Sequence, residues 1–504
     1  MTETDVLVIG AGAAGLAAAR AASSEVARVM LVDPEENGGI LRRCIHDGFG
    51  LDRFGDDLTG PEYADRFSAE IAARPRIRRV YGTVTSLTRD RVAEVVSEAG
   101  AELVKAKAVV LASGSRERAF GALDIAGRRY AGIMTAGEAQ KLVNIYGMGV
   151  GRRVVILGSG DVGLIMARRL TLEGAKVECV LEAAPYPGGL ARNIVRCLSD
   201  FNIPLELSST VVEVRGSSRL EEVVIARTDE HRRPVPGTER TVQCDALILS
   251  VGLLPVLSLV PYLETDKRTK RVVTDSCCGT SVQGIYVCGN ASHIHDIADS
   301  ASAEGELAGL HAARFALGKE RRAVTVPVTA GSGIASVSPM KLVAGEPARL
   351  YRQKRGARSQ RNGRAHAGRR RNARSRPAGR KGVVMKKFIC VVCPRGCELT
   401  VDNDLYTPTV TGNACTRGRD YALSEYTNPV RVLTFNVRVA GGTRPVVSAR
   451  AARPVRLMKV LPMARLARKL TVNAPVRAGQ TLFASLLGER IIATASVAKA
   501  EKDE

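Results

Sequence analysis

Residues 4–33, TDVLVIGAGAAGLAAARAASSEVARVMLVD, constrain this chain more than any other stretch. Residues 5–9 run apolar as a buried strand does, residues 16–22 are alanine-rich and read as a helix, and residues 28–32 form a second apolar strand closed by Asp33. Between the first strand and the helix, Gly10, Gly12 and Gly15 stand in GxGxxG spacing. The three glycines do different things. Gly10 makes the tight turn, Gly12 lets backbone approach a pyrophosphate, and Gly15 lets helix and strand pack closely. The helix N-terminus adds free N–H groups and a positive dipole end. Asp33 lies 23 positions beyond Gly10, where a ribose hydroxyl is held. Glycine turns alone are common; with strand, helix, second strand and acid all in place, the stretch predicts a dinucleotide site.

The same unit recurs about 150 residues later in RVVILGSGDVGLIMARRLTLEGAKVECVLE, residues 153–182. Gly158, Gly160 and Gly163 repeat the spacing, and Glu182 closes the second strand 24 positions after Gly158. Two copies imply two dinucleotides. A terminal acid repels a 2′-phosphate and favours NAD, with Arg192 nearby keeping NADP as the lesser alternative. Residues 81–108 and 204–244 read as meanders of short strands. Residues 108–118 run as a strand into the Ser113-Gly114 turn, and DALILSVGLLP at 245–255, with Gly252, has the same form. GIYVCGN at 284–290 is a strand ending at Gly289-Asn290, and residues 301–315 read as a helix.

A net charge of +23 invites a nucleic-acid reading, but residues 352–381 carry 13 Lys and Arg with no acid, and without them the charge is +10. That segment is built from Arg, Gly, Ala, Ser and Asn and cannot bury enough surface to offset its ordering entropy, so disorder is expected. It reads as a tether, as a nucleic-acid arm, or as a junction between two reading frames, since VVMK at 383–386 resembles a fresh translation start. Aromatic residues at 4%, with no Trp, leave few platforms on which bases stack, so nucleic acid is not the expected partner. No run approaches the ~18 apolar residues of a membrane span, and because the sequence enters strand and glycine turn at once, no leader is expected. A cytoplasmic protein is expected.

The order GAGAAG, LASGS, GSGDVG, LSVGLLP and GIYVCGN resembles the pyridine-nucleotide disulfide oxidoreductases, two-dinucleotide flavoproteins. GGILRRCIHDGFG after Asp33 and CGNASHIHDIAD narrow the likeness to the branch associated with glycerol-3-phosphate dehydrogenase, related to opine-oxidase and hydrogen-cyanide-synthase subunits. The resemblance implies FAD on the first glycine turn, NAD on the second, Gly39 near the flavin, and Gly289-Asn290 along its ribityl-phosphate arm. It implies an α/β fold of two interleaved Rossmann-like domains: FAD-binding at 1–145, NAD-binding at 146–262 and FAD-binding again at 263–333. A basic linker follows at 334–384, then a small α+β cysteine domain at 385–504. Two departures stand out. The disulfide branch carries CxxxxC after the first Gly-Gly or CxxC in the nucleotide domain; here only Cys44 stands near the Gly-Gly turn and the nucleotide domain has no CxxC, so Cys179, Cys197 and Cys244 read as core or surface thiols. Asn290 replaces the usual Asp.

Eleven cysteines, several of them clustered, point to metal or redox chemistry before structural disulfides in a cytoplasmic chain. Cys390, Cys393 and Cys397 sit in ICVVCPRGC, and Cys415 follows after 17 residues. Three close thiolates and one remote one suit a [4Fe–4S] cluster. Zinc, which more often takes two separated CxxC pairs, is the alternative, and free or disulfide thiols are a third. This part resembles a small domain of unestablished function with a CxxCPxGC signature, found beside the same oxidoreductases. Residues 432–439 and 446–456 read as strands and 457–470 as a helix.

Cys44 and His46 follow the Gly-Gly turn, where His46 could move a proton or both could merely line the flavin pocket. His293, His295 and Asp296 suggest a metal triad, but no further carboxylate partner is evident, so pocket lining is the preferred reading. His231, His311 and His366 are expected at the surface. Together these features predict an FAD- and NAD-dependent oxidoreductase passing electrons to an iron–sulfur centre. By resemblance, a partner dehydrogenase would act on glycerol 3-phosphate or a similar small molecule.

Overall fold

The computed structural model describes residues 1–319, 325–330, 334–344, 346, 348–354, 384–393, 395–403 and 408–501. In the first domain, strand Thr2–Ile9 lies between Val29–Asp33 and Gly100–Leu111, parallel to both, and Ile285–Val287 extends the sheet beyond Leu111. These strands are apolar on both faces because helices or a second layer cover each side, as parallel sheets require. Helices Ala13–Glu25 and Ala298–Ala316 cover one face. They touch backbone to backbone: a Cβ on Gly305 or Gly309 would fall 2.1 Å from the carbonyl oxygen of Ala14 or Ala18. On the other face Ile77–Leu87, Val92–Ser97 and Gly100–Leu111 form the antiparallel meander expected from sequence, enclosing Val84, Val95 and Val104.

The second domain repeats the plan. Its sheet runs Leu205–Leu207, Lys176–Glu182, Arg153–Leu157, Ala246–Leu249 and Ile133–Thr135, all parallel. Strand Ile133–Thr135 and helix Ala136–Asn144 therefore belong here, and the domain begins earlier than the expected residue 146. At the far end, Val260 and Leu263 are buried against Val84 and Val109 of the first domain, so the return precedes residue 262. The crossing is a pair of short strands, Ser115–Glu117 antiparallel to Leu253–Pro255. Both boundaries differ from expectation because the hydrophobic pattern does not mark which sheet a three-residue strand joins.

Residues 334–354, expected to open the linker, carry strands Ile334–Ser338, Lys341–Val343 and Tyr351–Lys354. The expectation of disorder falls mainly on 355–383, which lie outside the described residues, as does His366. The C-terminal part begins with the antiparallel strands Val384–Ile389, Glu398–Asn403 and Thr409–Thr411 and helix Thr416–Thr427. A five-stranded sheet follows, in the order Thr471–Asn473, Thr434–Ala440, Val446–Ala451, Glu489–Ala493, Thr481–Leu486, with helix Leu457–Ala467 packed on it. The expected strands and helix are all present here. Leu172 and Phe201 of the second domain join its core, so the C-terminal part is docked.

Candidate functional site

At the first glycine turn, Gly10 has φ +104°, and a Cβ there would lie 2.3 Å from the Ala112 carbonyl oxygen; one on Gly15 would lie 1.8 Å from the Gly10 oxygen. No other residue fits either place. A Cβ on Gly12 would meet nothing within 4 Å, so the turn is open where a pyrophosphate approaches. Asp33 buttresses the turn, its carboxylate accepting from the Ala11 amide at 2.7 Å and the Glu35 amide at 2.8 Å. Gly38, which its spacing alone does not single out, donates its N–H to the Ala11 oxygen at 2.8 Å, and a Cβ on Gly39 would sit 3.2 Å from the Gly12 Cα. The Gly-Gly turn thus crosses the glycine loop. Along the neighbouring strand ends, Ser113 Oγ donates to the Val256 oxygen at 2.7 Å, and Gly114 (φ +71°) is open. Gly289 donates its N–H to Glu304 at 2.6 Å, and Asn290 accepts from the His295 amide at 3.0 Å.

The second turn is built alike. A Cβ on Gly158 would lie 2.1 Å from the Ser250 oxygen and one on Gly163 2.6 Å from the Gly158 oxygen, while Gly160 is looser and Gly252 (φ +105°) is open. Glu182 accepts from Ser159 Oγ at 2.6 Å and from the Ala184 amide at 2.9 Å. Gly188 donates its N–H to Ser159 Oγ at 2.8 Å, so a second Gly-Gly turn crosses the second loop. The sequence carries that signal: Gly188-Gly189 follows Glu182 much as Gly38-Gly39 follows Asp33. Arg192, the residue that kept NADP open, has its guanidinium against Gly48 of the first domain.

Cys44 and His46 lie at the junction of the domains. Burial pushes the Cys44 thiol up to about 11, with Gln140 Oε1 3.8 Å away. Burial, against a raising effect of Asp47, brings the His46 imidazole down to about 4. His46 shares a small cavity with Asn144, Arg168, Arg169 and Thr434. Beside it Asp47, held down to about 2 chiefly by Arg196 against the cost of burial, accepts two bonds from that guanidinium at 2.7 Å. A thiol so raised is a poor nucleophile. Cys179, Cys197 and Cys244 are buried and pushed up to about 12, as inert core thiols should be. His231 is exposed as expected; His311, expected at the surface, is buried on helix Ala298–Ala316.

Cys390, Cys393 and Cys397 occupy the connection between strands Val384–Ile389 and Glu398–Asn403, closed by the Cys390 amide donating to the Cys397 oxygen at 2.8 Å. Cys415 stands at the N-cap position of helix Thr416–Thr427 without a side-chain capping bond, and a Cβ on Gly418 in its first turn would lie 3.8 Å from Cys390 Sγ. Folding therefore gathers the remote cysteine to the close trio. Burial raises the Cys390 thiol, and the other three thiols add to the rise. Among the described residues no three of these sulfurs lie mutually within 4.8 Å, wider than the ligands of one zinc-sized ion, so the set suits the broader spacing of a cluster, and the helix N-terminus favours its negative charge. Gly396, inside this loop, seats its Cβ position 3.5 Å from the Ala191 Cβ, at the start of helix Ala191–Cys197 in the second domain.

The family model described as pyridine nucleotide-disulphide oxidoreductase matches residues 4–305. The chain belongs to that family. Membership makes it an oxidoreductase of the flavin-dependent, pyridine-nucleotide class and implies FAD and NAD(P), which the two open glycine turns fit. A second model, a protein of unknown function (DUF1667), matches residues 416–495, beyond all four clustered cysteines. An opine oxidase subunit from Agrobacterium tumefaciens is 30% identical over 61% of this chain and 65% of its own length. The alpha subunit of sarcosine oxidase from Corynebacterium sp. is 30% identical over 65% of this chain but only 34% of that protein. Thioredoxin reductase of Treponema pallidum is 27% identical over 62% of this chain and 97% of its own. The chain thus spans under two thirds of the two oxidase polypeptides. Among solved structures, thioredoxin reductase from T. acidophilum superimposes with a TM-score of 0.52 at 24% identity over 63% of this chain and all of that one, a likeness of fold. None of the eleven cysteines of this family member forms a disulfide. No helix among the described residues is long and apolar enough to cross a membrane.

Proposed function

We propose that this flavoprotein passes electrons between NAD, FAD and an iron–sulfur centre held by Cys390, Cys393, Cys397 and Cys415, as one subunit of a small-substrate dehydrogenase. Bound nicotinamide and flavin supply hydride transfer, and the protein places and tunes them. Gly12 and the Gly38-Gly39 turn cradle the FAD pyrophosphate, and Ser113, Gly114 and Asn290 border the rest of the cofactor. Gly160 and Gly188 do the same for the nicotinamide nucleotide. Glu182, already fixed by Ser159, holds the adenosine ribose and disfavours a 2′-phosphate. Cys44 and His46 serve the domain junction rather than proton transfer.

The observation that carries this reading is the seating of the cysteine loop: Gly396 rests on Ala191, two residues beyond the Gly188-Gly189 turn that crosses the second glycine loop. A four-thiolate centre there adjoins the nucleotide domain and has no need of a mobile arm. The oxidase relatives are themselves subunits, which supports a partner that oxidises glycerol 3-phosphate or a comparable hydroxy or amino acid. The test is an anaerobic NADH titration of the purified chain, followed by visible absorption and paramagnetic resonance. Flavin bleaching followed by a reduced-cluster signal is expected. A folded, flavin-loaded protein that holds stoichiometric zinc and no iron would leave the C-terminal domain with a structural zinc and remove the electron-transfer role.

A further inference from the structure

His293 and His295 follow Gly289-Asn290, and folding brings them to Glu304 on the second turn of helix Ala298–Ala316. Among the described residues, this is the one group of three His, Cys, Asp or Glu donors lying mutually within 4.8 Å. His293 Nδ1 is 3.8 Å from Glu304 Oε1, and His295 Nε2 is 2.8 Å from Glu304 Oε2. Ligands each about 2.1 Å from one ion stand roughly 3–4 Å apart, so the 3.8 Å separation suits a shared metal, and the 2.8 Å His295–Glu304 contact, a hydrogen bond as it stands, opens slightly to admit one. The carboxylate that completes the histidine pair is Glu304 rather than Asp296. It lies nine and eleven residues beyond the two histidines and is invisible as a partner until the helix turns back.

Two features are unexplained by packing. His293 Nδ1 and His295 Nδ1 are both buried with no hydrogen-bond partner, although a buried polar nitrogen left unpaired is costly. Glu304 is only 8% exposed and takes its contacts from the Gly289 amide, Ser292 Oγ and His295; among the described residues no Lys or Arg pairs with it. A carboxylate so buried needs a countercharge. The Tyr351 ring closes the group, 4.7 Å from the His293 ring and 4.9 Å from that of His295.

We propose that His293, His295 and Glu304 bind one divalent transition-metal ion of the zinc or ferrous class, separate from the cysteine centre. Two imidazoles and one carboxylate are a borderline donor set that suits these ions over calcium or magnesium. The ion would satisfy an orphan ring nitrogen and neutralise Glu304, whose bond to the Gly289 amide would act as the outer support of a ligating carboxylate. It would thereby fix the Gly289-Asn290 turn.

The test is cobalt binding to the chelator-stripped, full-length protein under anaerobic conditions. Thiolate sites announce themselves by strong sulfur-to-cobalt bands in the near ultraviolet, which nitrogen and oxygen ligands do not give. Wild type is expected to bind one equivalent of Co2+ without that signature, displaced by Zn2+. His293→Ala is expected to weaken this equivalent at least tenfold while circular dichroism and the metal of the cysteine loop are unchanged. Glu304→Gln, which keeps an acceptor for the Gly289 amide, should do the same. A wild-type protein that binds cobalt only with the thiolate signature, or a folded His293→Ala that binds as wild type does, overturns the site and leaves a hydrogen-bonded trio. Wild type alone decides the matter should both variants fail to fold.

Discussion

Arg431 in the C-terminal domain grips Asp200 in the nucleotide domain through two hydrogen bonds, Nε to Oδ2 at 2.6 Å and Nη2 to Oδ1 at 2.9 Å, with both side chains almost wholly buried. Glu425 completes the guanidinium's shell at 2.7 and 2.8 Å. Nearby, Asn436 donates to the Val143 oxygen at 2.9 Å and Arg168 to the Val432 oxygen at 2.9 Å. Removing one partner of a buried pair costs ~3–5 kcal/mol, because the other charge is stranded. Arg431→Ala should therefore lower unfolding free energy by about that much or split the transition in two. Adding Asp200→Leu to Arg431→Met should recover part of the loss, read as a double-mutant cycle in denaturant. A single Arg431→Ala within ~0.5 kcal/mol of wild type would mean that the pair does not hold the domains together.

The two kinds of glycine in the first turn should separate under mutation. Gly12→Val adds atoms to open space, so the apo fold should melt as wild type does while bound FAD is lost. Gly15→Ala drives a methyl into the Gly10 carbonyl oxygen and should cost ~1–3 kcal/mol or more in stability along with flavin. Flavin absorbance and thermal melts check both. Wild-type flavin content in Gly12→Val would refute FAD at this turn.

Cofactor choice rests on Glu182. NADH should bleach the flavin anaerobically faster than NADPH, and Glu182→Gln should raise the KM for NADH by ~10-fold or more, the worth of a hydrogen bond to a charged group. Equal rates for the two nucleotides in wild type would assign the choice to another residue.

Cys415→Ser removes the helix-cap thiol and leaves the other three cysteines in their loop. For a cluster it should yield a labile or three-iron species with the fold retained. For structural zinc it should unfold the domain, because metal binding and folding are coupled in small sites. Iron and zinc analysis with circular dichroism distinguishes the two.

The His46 imidazole, held neutral by burial and ringed by Arg168, Arg196 and Arg192, gives stability a defined pH slope. Its folded value near 4 lies below the unfolded ~6.5. The unfolded chain thus binds the extra proton first, and stability falls as pH drops from ~6.5 to ~4, by at most about 3 kcal/mol from this group. His46→Gln should flatten that slope in denaturant titrations between pH ~4 and ~7, a range set by those two values.

The chain's local sequence determined much. Apolar strands feeding GxGxxG into alanine-rich helices fix two β-α-β units, because only glycine survives where Ala112, Gly10 and Ser250 carbonyls press on the turn. The terminal acids Asp33 and Glu182 were legible for the same reason: their distance from the turn is set by the length of one helix and one strand. What sequence left undecided were contacts between elements far apart in the chain. Nothing local tells that Ile133–Thr135 joins the second sheet, that Arg431 meets Asp200 across 231 residues, or that the helix turn carrying Cys415 and Gly418 lies against Cys390. Glu304 is the sharpest case: in the sequence it is one acid on a helix, and only the packing of that helix over Gly289 turns it into the partner of His293 and His295. Periodicity and spacing are written along the chain, whereas convergence of side chains depends on how the layers stack.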